Sequence, residues 1–183
     1  MKCRTTLQLL LAAMTLLGMP AMAAAATPPA ATADTATAAN VTVTYDQPEK
    51  FTETRKLRSL APTRLDDGYL KTLKTYIETR AGKMLPPGER LDIVVTDIDR
   101  AGSFEPWRRG TMQEVRIIKD IYPPRIDLHF RLLDASGKVI REGERKLRDP
   151  GFMSSGGATS SNDSLRYEKA LLDRWLRKGP DQL

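Results

Sequence analysis

Cysteine is almost absent from this chain of 183 residues, and its scarcity restricts the chemistry that the protein can perform. Cys3 is the single cysteine and lies within a predicted N-terminal export signal, so cleavage of that signal leaves a mature chain without thiols. Disulfide bonds, catalysis by a thiolate and zinc sites with cysteine ligands are therefore excluded for the mature chain. The hydrophobic core alone has to stabilise the domain.

Histidine is equally scarce, and His129 has no companions that would make it catalytic. A hydrolytic triad needs a histidine that activates a serine and is itself oriented by a carboxylate. The serines lie mainly in or beside a Gly/Ser-rich loop without a nucleophile-elbow motif, at Ser154, Ser155, Ser160, Ser161 and Ser164. We therefore interpret His129 as a solvated or cross-strand partner and predict no catalytic residue.

Runs of basic residues are also missing. The formal net charge is +6, the export signal carries two positive charges and no negative one, and subtracting 2 from +6 leaves +4 for the mature chain. Because this excess is spread along the chain, the sequence predicts no binding to nucleic acid. Contact with an anionic surface such as lipid headgroups stays open.

The N-terminus has the three parts of a secretory signal. Lys2 and Arg4 form a basic start, an apolar run spans residues 7–17, and the small-residue site Ala21-Met22-Ala23 follows. The run is shorter than the roughly 20 apolar residues that cross a bilayer, which favours a cleaved signal over a retained anchor. We expect cleavage between residues 23 and 26, and no lipoprotein, because alanines stand where lipidation would need a cysteine.

Composition divides the remainder into three parts. Residues 24–40 are rich in Ala, Thr and Pro and cannot bury an apolar face, so they are predicted to form a disordered tether. Residues 41–178 are predicted to form one globular domain, which is long enough for a single core. Residues 179–183 are predicted to be a tail.

Hydrophobic periodicity predicts an α+β domain in two layers, with two helices packed on one face of a mostly antiparallel sheet of four to five strands. Asp66 or Asp67 is predicted to cap one helix, and Asp163 or Ser164 to cap the other. Strands are predicted at residues 40–46, 90–99, 114–122, 125–134 and 138–147. The polar stretch between the first strand and the first helix is assigned no element.

Pro123 and Pro124 interrupt a segment that otherwise reads as one continuous strand. Neither proline can donate to a ladder, and the residues before them are extended, so we interpret the pair as the corner before a strand. In the strand at 90–99, alternation places Val95 and Ile98 on opposite faces. The charged strand at 138–147 suits an exposed edge, and the register of its hairpin is left open.

Acidic residues gather at and after the end of the strand at 90–99. Asp97 and Asp99 are two residues apart and can point the same way, and Glu105 and Asp120 could complete an oxygen-ligand site for calcium or magnesium. The alternative is that the aspartates cap turns and pair with arginines, namely Arg100, Arg108 or Arg116. Because no calcium-loop spacing is present, we favour the alternative and predict no cofactor, keeping Asp97, Asp99 and Asp120 as metal candidates.

The loop "FEPWRRG" is the most suggestive binding segment, because an exposed tryptophan beside arginines can stack on a sugar, peptide or aromatic partner. The alternative is that both of its aromatic side chains fold back onto the core. Together with the strand entrance at 122–125, the loop gives the predicted binding surface: Phe104, Glu105, Trp107, Arg108, Arg109, Tyr122 and Arg125.

Three segments carry a family resemblance: "TDIDRAGSFEPWRRG", "VRIIKDIYPPRIDLHFRLLDASGKVIREGERKLRD" and "LRYEKALLDRWL". Together they resemble an exported proteobacterial family of uncharacterised proteins, domain of unknown function 3016, over residues 41–176. The resemblance implies a small periplasmic protein of a Gram-negative bacterium. It implies no activity, ligand or catalytic residue.

We predict a non-catalytic periplasmic binding or accessory module whose partner is a protein or a cell-envelope component, with no transmembrane segment after signal cleavage. One alternative is a carboxylate-based, metal-assisted periplasmic hydrolase that uses Asp97, Asp99, Glu105, Asp120 and His129. Another is a binder of anionic lipid or cell-wall material through Arg108, Arg109 and Arg125.

Overall fold

The computed structural model describes residues 40–64, 67–108, 110–154 and 162–183. In chain order its elements are β1 (Val41–Tyr45), α1 (Thr52–Leu60), α2 (Gly68–Gly82), β2 (Arg90–Asp99), β3 (Ser103–Phe104), β4 (Arg116–Ile117), β5 (Arg125–Leu133), β6 (Val139–Arg148) and α3 (Arg166–Leu176). The predicted export signal and nearly all of the predicted tether lie outside the described residues, as do Asp66 and Arg109 and most of the Gly/Ser-rich loop.

Four strands form the main sheet in the order β1-β2-β5-β6, and β3 pairs with β4 in a separate two-stranded ribbon. β1 runs parallel to β2, whereas the β2–β5 and β5–β6 pairs are antiparallel. The predicted α+β class with mostly antiparallel strands is thus confirmed. The structure adds a third helix to the two that were predicted.

The hydrophobic core lies between one face of the sheet and the two longer helices. From α2 it takes Leu73 and Ile77, and from α3 it takes Leu172 and Trp175, whose indole meets the ring of Phe130 on β5 edge-on at 6.1 Å. These side chains recur at helical spacing, so one stripe of each helix faces the sheet. Within the described part of the chain, no helix has both the length and the apolar character that crossing a bilayer requires.

A bulge in β2 changes which side chains reach the core. Val95 pairs with Leu128 and Asp97 pairs with Asp127, so Thr96 is an extra residue on β2. After the bulge, the alternate side chains of β2 exchange faces. Val95 and Ile98 therefore both lie on the core side, and each is 1% exposed. The prediction that they lie on opposite faces was wrong, because strict alternation does not anticipate a bulge.

The helix α1 was missed because it has little apolar periodicity of its own. Its single buried apolar side chain is Leu57, and its N-terminus is capped from another element: Asp97 on β2 accepts hydrogen bonds from the backbone N–H of Thr52 at 2.6 Å and from its hydroxyl at 2.8 Å. A side-chain oxygen that accepts an unpaired N–H of the first turn stabilises a helix start. The polar stretch after β1 is therefore helical because of contacts with a distant strand, and its own residues do not predict those contacts.

The strand predicted at 114–122 is reduced to the two residues of β4, which pairs with β3 and not with the main sheet. The break comes before the prolines, because Tyr122 donates its N–H to the carbonyl of Lys119 in a turn. β5 begins at Arg125, directly after Pro124. The interpretation of the proline pair as a corner before a strand is confirmed.

The C-terminal residues contact the domain. Pro180–Gln182 form a short 3-10 helix, Leu183 has no exposed surface, and its carbonyl oxygen accepts a hydrogen bond from Arg145. The segment predicted as a tail therefore contributes an apolar side chain to the core. The prediction that Asp163 or Ser164 caps α3 was wrong, because Leu165 holds the N-cap position and makes no side-chain capping hydrogen bond; the carboxylate of Asp163 accepts the N–H of Leu165 at 2.8 Å in the turn before the helix.

Candidate functional site

The end of β2 leads into a loop that is surrounded by buried carboxylates. Glu53, Glu105 and Glu168 come from three separate parts of the chain, and each is at most 1% exposed. A carboxylate removed from water is costly unless it is paired or hydrogen-bonded. The partners of these three side chains therefore determine how this end of the domain is built.

Glu53, in the first turn of α1, forms an ion pair with Arg116 on β4 and accepts the backbone N–H of Arg100 at 3.4 Å. Arg116 also donates to the carbonyls of Ala101 and Gly102, each at 3.3 Å. One guanidinium thus joins the helix, the loop after β2 and the ribbon of β3 and β4.

Glu168, in the first turn of α3, accepts the backbone N–H of Ala101 at 2.7 Å through Oε1. Its other oxygen is buried and has no hydrogen-bond partner among the described residues. Burial raises the pKa of Glu168, because the charged form loses its hydration. The guanidinium of Arg100 lies nearby, stacks over the ring of Tyr69 at 5.4 Å and opposes that rise.

Glu105 holds the next two segments together near the surface. Its carboxylate pairs with Lys119 Nζ at 2.5 Å and with Arg108 Nε at 2.6 Å. The two hydrogen bonds, with that from Lys119 the larger influence, hold the pKa of Glu105 below its usual value. The carboxylate is covered by these cations, whose own side chains are 42% and 37% exposed, so the negative charge is hidden and the positive charges face water.

Trp107 and Ile121 project from the two segments that Glu105 joins. Trp107 is 70% exposed and Ile121 is 66% exposed. They are flanked along the chain by Arg108 and, two residues before Ile121, by Lys119. We call these four residues (Trp107, Arg108, Lys119 and Ile121) the tryptophan surface.

Phe104 lies only three residues from Trp107 and has the opposite environment. It is 4% exposed, packs with Leu57 and Ala61 in a small second core, and carries the guanidinium of Arg116 over its ring at 4.7 Å. The alternative in which both aromatic side chains fold back onto the core therefore holds for Phe104 and not for Trp107. Phe104 folds back and Trp107 does not.

Two further residues of the predicted binding surface lie at the turn before the prolines and at the start of β5. Tyr122 is half-buried, and its carbonyl accepts the N–H of Gly102 at 2.9 Å, which fixes the turn before the prolines. Arg125 is exposed at the start of β5, in register with Asp99 on β2 and with Arg148 on β6. Arg109 lies outside the described residues.

The metal candidates are each occupied by a different partner. Asp97 caps α1, Asp99 forms an ion pair with Lys56 at 2.6 Å, and the exposed Asp120 accepts the N–H of Ile121 at 2.9 Å. In the described ranges, no group of three His, Cys, Asp or Glu side chains is arranged to hold a metal ion. Asp99 pairs with a lysine, where an arginine was expected.

His129 lies on the sheet face that points away from the helices, in register with Val94 and Glu144. It is half-buried beside a shallow depression of about 280 Å³ that is also lined by Thr96, Asp127 and Lys146. Ser164, at the start of α3, accepts a hydrogen bond from Arg100 through its carbonyl oxygen, and three of the candidate serines lie outside the described residues. His129 is thus opposite Glu144 in the β5–β6 pair.

Sequence reasoning missed Glu53, Lys119, Ile121 and Glu168, and it expected Arg116 to pair with an aspartate, whereas Arg116 pairs with Glu53. The ion pairs among them join residues as far apart as 53 and 116, and no spacing rule anticipates such pairs. Ile121 was assigned to the strand predicted at 114–122, which the structure shortens to Arg116–Ile117. One sequence feature could have drawn attention to Glu53 and Glu168: both are acidic residues in the first turn of a helix, where negative charge is favoured.

Comparisons with known proteins give a family and no activity. Neither a curated protein nor a solved structure matches the chain. The model of a family described as a protein of unknown function, DUF3016, matches residues 39–178. That match covers the whole sheet, all three helices and the tryptophan surface, and it confirms the resemblance seen in the sequence: the chain belongs to the DUF3016 family.

Proposed function

We propose that this domain is a non-catalytic binding module that contacts its partner through the tryptophan surface. The observation that carries the proposal is the exposure of Trp107, at 70%, on a loop whose neighbouring side chains are held by a covered ion pair. Tryptophan is highly buried on average, and it is enriched among residues that dominate binding energy. An exposed tryptophan on a fixed loop is typical of a contact site.

The loop is held in place before any partner arrives. Glu105 ties it to the turn at 119–122, and the N–H of Arg108 donates to the carbonyl of Glu105 at 3.0 Å. A contact surface that is already ordered loses less conformational entropy on binding. The ion pairs therefore have a role in binding as well as in folding.

The surface also concentrates apolar exposure. Within the described part of the chain the exposed large apolar side chains are Trp107, Ile121, Ile140 and Met153, and two of these four belong to the tryptophan surface. Isolated exposed apolar residues need no explanation, whereas neighbouring ones that are rimmed by charge mark interaction sites. Ile140 on β6 provides an exposed apolar control at another site.

The periplasm is the compartment that we propose for this module. The basic start, the short apolar run and the Ala-x-Ala site at the N-terminus support export, and the lack of cysteine after the signal fits a fold that needs no disulfide. A partner in the cell envelope follows from that location.

The hydrolase alternative draws no support from the carboxylates, because Asp97, Asp99 and Asp120 are separately engaged. Glu105, the fourth candidate, is neutralised by Lys119 and Arg108. A catalytic pair would need at least one carboxylate that is free to exchange a proton with a bound molecule.

Photocrosslinking in the cell tests the binding proposal. A photoreactive amino acid is placed at residue 107, at 121 or at the control position 140, in separate variants that are produced and exported under identical conditions. We expect a crosslinked product, to a protein or to lipid, from 107 and 121 and none from 140. Equal yields at all three positions, or no product with either protein or lipid from 107, would contradict the proposal.

A further inference from the structure

Both charged residues of the tryptophan surface are cations. Glu105 has no exposed surface, while the side chains of Arg108 and Lys119 that cover it are 37% and 42% exposed. An approaching partner therefore meets a guanidinium and an ammonium group, with their shared counter-charge behind them. Positive potential at such a surface attracts anionic partners.

The two exposed apolar side chains lie on the same two segments as these cations. Trp107 follows Glu105 by two residues, and Ile121 follows Lys119 by two residues, so the ion pairs at Glu105 bring the two segments together. The aliphatic stems of Arg and Lys can lie along apolar material while their charged ends stay at a polar boundary. Tryptophan prefers the same boundary in membranes.

We propose that the tryptophan surface binds an anionic lipid bilayer, with Trp107 and Ile121 in the headgroup region and Arg108 and Lys119 on lipid phosphates. This inference rests on the proposed function and names its partner. A folded protein partner is the less suitable occupant, because a stable protein interface buries about 800 Å² on each side around a desolvated centre. Two exposed apolar side chains on segments that also present two cations match the shallow, charge-assisted insertion of a peripheral membrane contact.

One exposed acidic residue should weaken binding to an anionic bilayer, and removing its charge provides a second test. Asp120 is exposed beside Ile121, and its Oδ1 accepts the N–H of that residue. Asparagine at this position keeps an oxygen that can accept the same hydrogen bond while removing the negative charge. Asp120→Asn is therefore a charge variant that leaves the Glu105 ion pairs intact.

The experiment measures binding to vesicles by the chain as it is isolated after export. Wild type and variants are compared in the same processed form, so that any contribution of the N-terminal segment is shared. Vesicles of equimolar phosphatidylglycerol and phosphatidylcholine are compared with vesicles of phosphatidylcholine alone, by co-sedimentation and by tryptophan emission. Trp175 is 3% exposed, so a change in emission on binding reports on Trp107.

We expect the wild type to bind the anionic vesicles at low salt with a blue shift of its emission, and to be released at high salt. Trp107→Ala should lose most of this binding, and Asp120→Asn should strengthen it by up to roughly fivefold, the effect of one charge near an anionic surface. Ile140→Ser should bind like the wild type.

Three results would overturn the inference: a wild type that stays in solution, equal binding to both kinds of vesicle, or full binding by Trp107→Ala. If the wild type does not bind anionic vesicles while residue 107 still crosslinks to a protein in the cell, the lipid inference is wrong and the binding proposal stands. If crosslinking and vesicle binding both fail, both proposals fall.

Discussion

The helix-covered sheet and the end of the domain that carries the tryptophan surface are stabilised in different ways. The first is held by apolar side chains that recur at the spacing of helices and strands, such as Leu73 and Ile77 on α2. The second has a small apolar cluster around Phe104 and is held mainly by the buried carboxylates of Glu53, Glu105 and Glu168. Apolar packing tolerates substitution gradually, whereas a buried charge that loses its partner is left uncompensated.

The largest effect on the sheet region is expected from Phe130→Ala. Phe130 has no exposed surface and contacts Trp175 as well as the guanidinium of Arg145, which lies over its ring at 4.9 Å. Removing the ring should lower the free energy of unfolding by about 3–5 kcal/mol, measured by urea denaturation. A loss below about 1 kcal/mol would show that the core repacks and would weaken the contrast between the two regions.

Arg116→Met should have a comparable effect at the other end, because it leaves Glu53 buried without its cation. Breaking a buried ion pair costs about 3–5 kcal/mol of unfolding free energy. The matched double variant adds Glu53→Gln, which removes the stranded charge. The double variant should be more stable than Arg116→Met alone. If the loss caused by Glu53→Gln simply added to the loss caused by Arg116→Met, the two residues would not be a coupled pair.

Gly102→Ala is expected to have a smaller effect on the free energy of unfolding. It tests the contribution of the backbone conformation in the loop after β2. Gly102 has a φ of +83°, and a Cβ there would lie 2.6 Å from Ile118 Cδ1 and 2.7 Å from the carbonyl oxygen of Ile117. A loss of roughly 1–3 kcal/mol is expected from strain and from this contact. Gly110→Ala is the matched control, because its φ is +62° with nothing within 4 Å, and it should cost less. Equal losses would show that the close approach is unimportant.

Glu168 should make stability depend on pH in a defined direction. Its pKa is raised above the ordinary value of 4.5 by burial, so the folded chain holds a proton that the unfolded chain has released. The contribution of Glu168 to stability is therefore complete below pH 4.5 and is lost as the pH rises through its folded pKa.

Glu168→Gln isolates this contribution, because its amide oxygen can still accept the N–H of Ala101. The stability of the variant relative to the wild type should rise as the pH increases from 4.5 towards neutrality, measured by urea denaturation at each pH. A difference that stays constant with pH, or that reverses, would show that burial does not dominate at this site.

The contrast between the regions also explains what the sequence could predict. The strands β1, β2 and β5 and the helices α2 and α3 were predicted because their apolar residues repeat at fixed spacing, and β6 was predicted as a charged edge strand. α1 was not, because it depends on Asp97 of β2 and on the pair of Glu53 with Arg116. Such contacts form between residues that are far apart in the sequence, so the residues of α1 alone do not predict them.

The candidate site divides in the same way. Trp107, Glu105 and Arg108 were singled out because aromatic and charged residues stand together in one loop. Lys119 and Ile121 were not, since they reach the site only after the turn before the prolines brings them there. The bulge at Thr96 is a further example, because one extra residue exchanged the faces of the last part of β2.

The most direct test of the account compares the unfolding free energies of Trp107→Ala and Phe104→Ala in one urea denaturation experiment. Phe104→Ala should lose about 3 kcal/mol or more, because its ring is buried against Leu57 and Ala61. Trp107→Ala should stay within about 0.5 kcal/mol of the wild type, because its side chain is mostly in water. A Trp107→Ala variant that unfolds as readily as Phe104→Ala would contradict the account, since the tryptophan would then belong to the core.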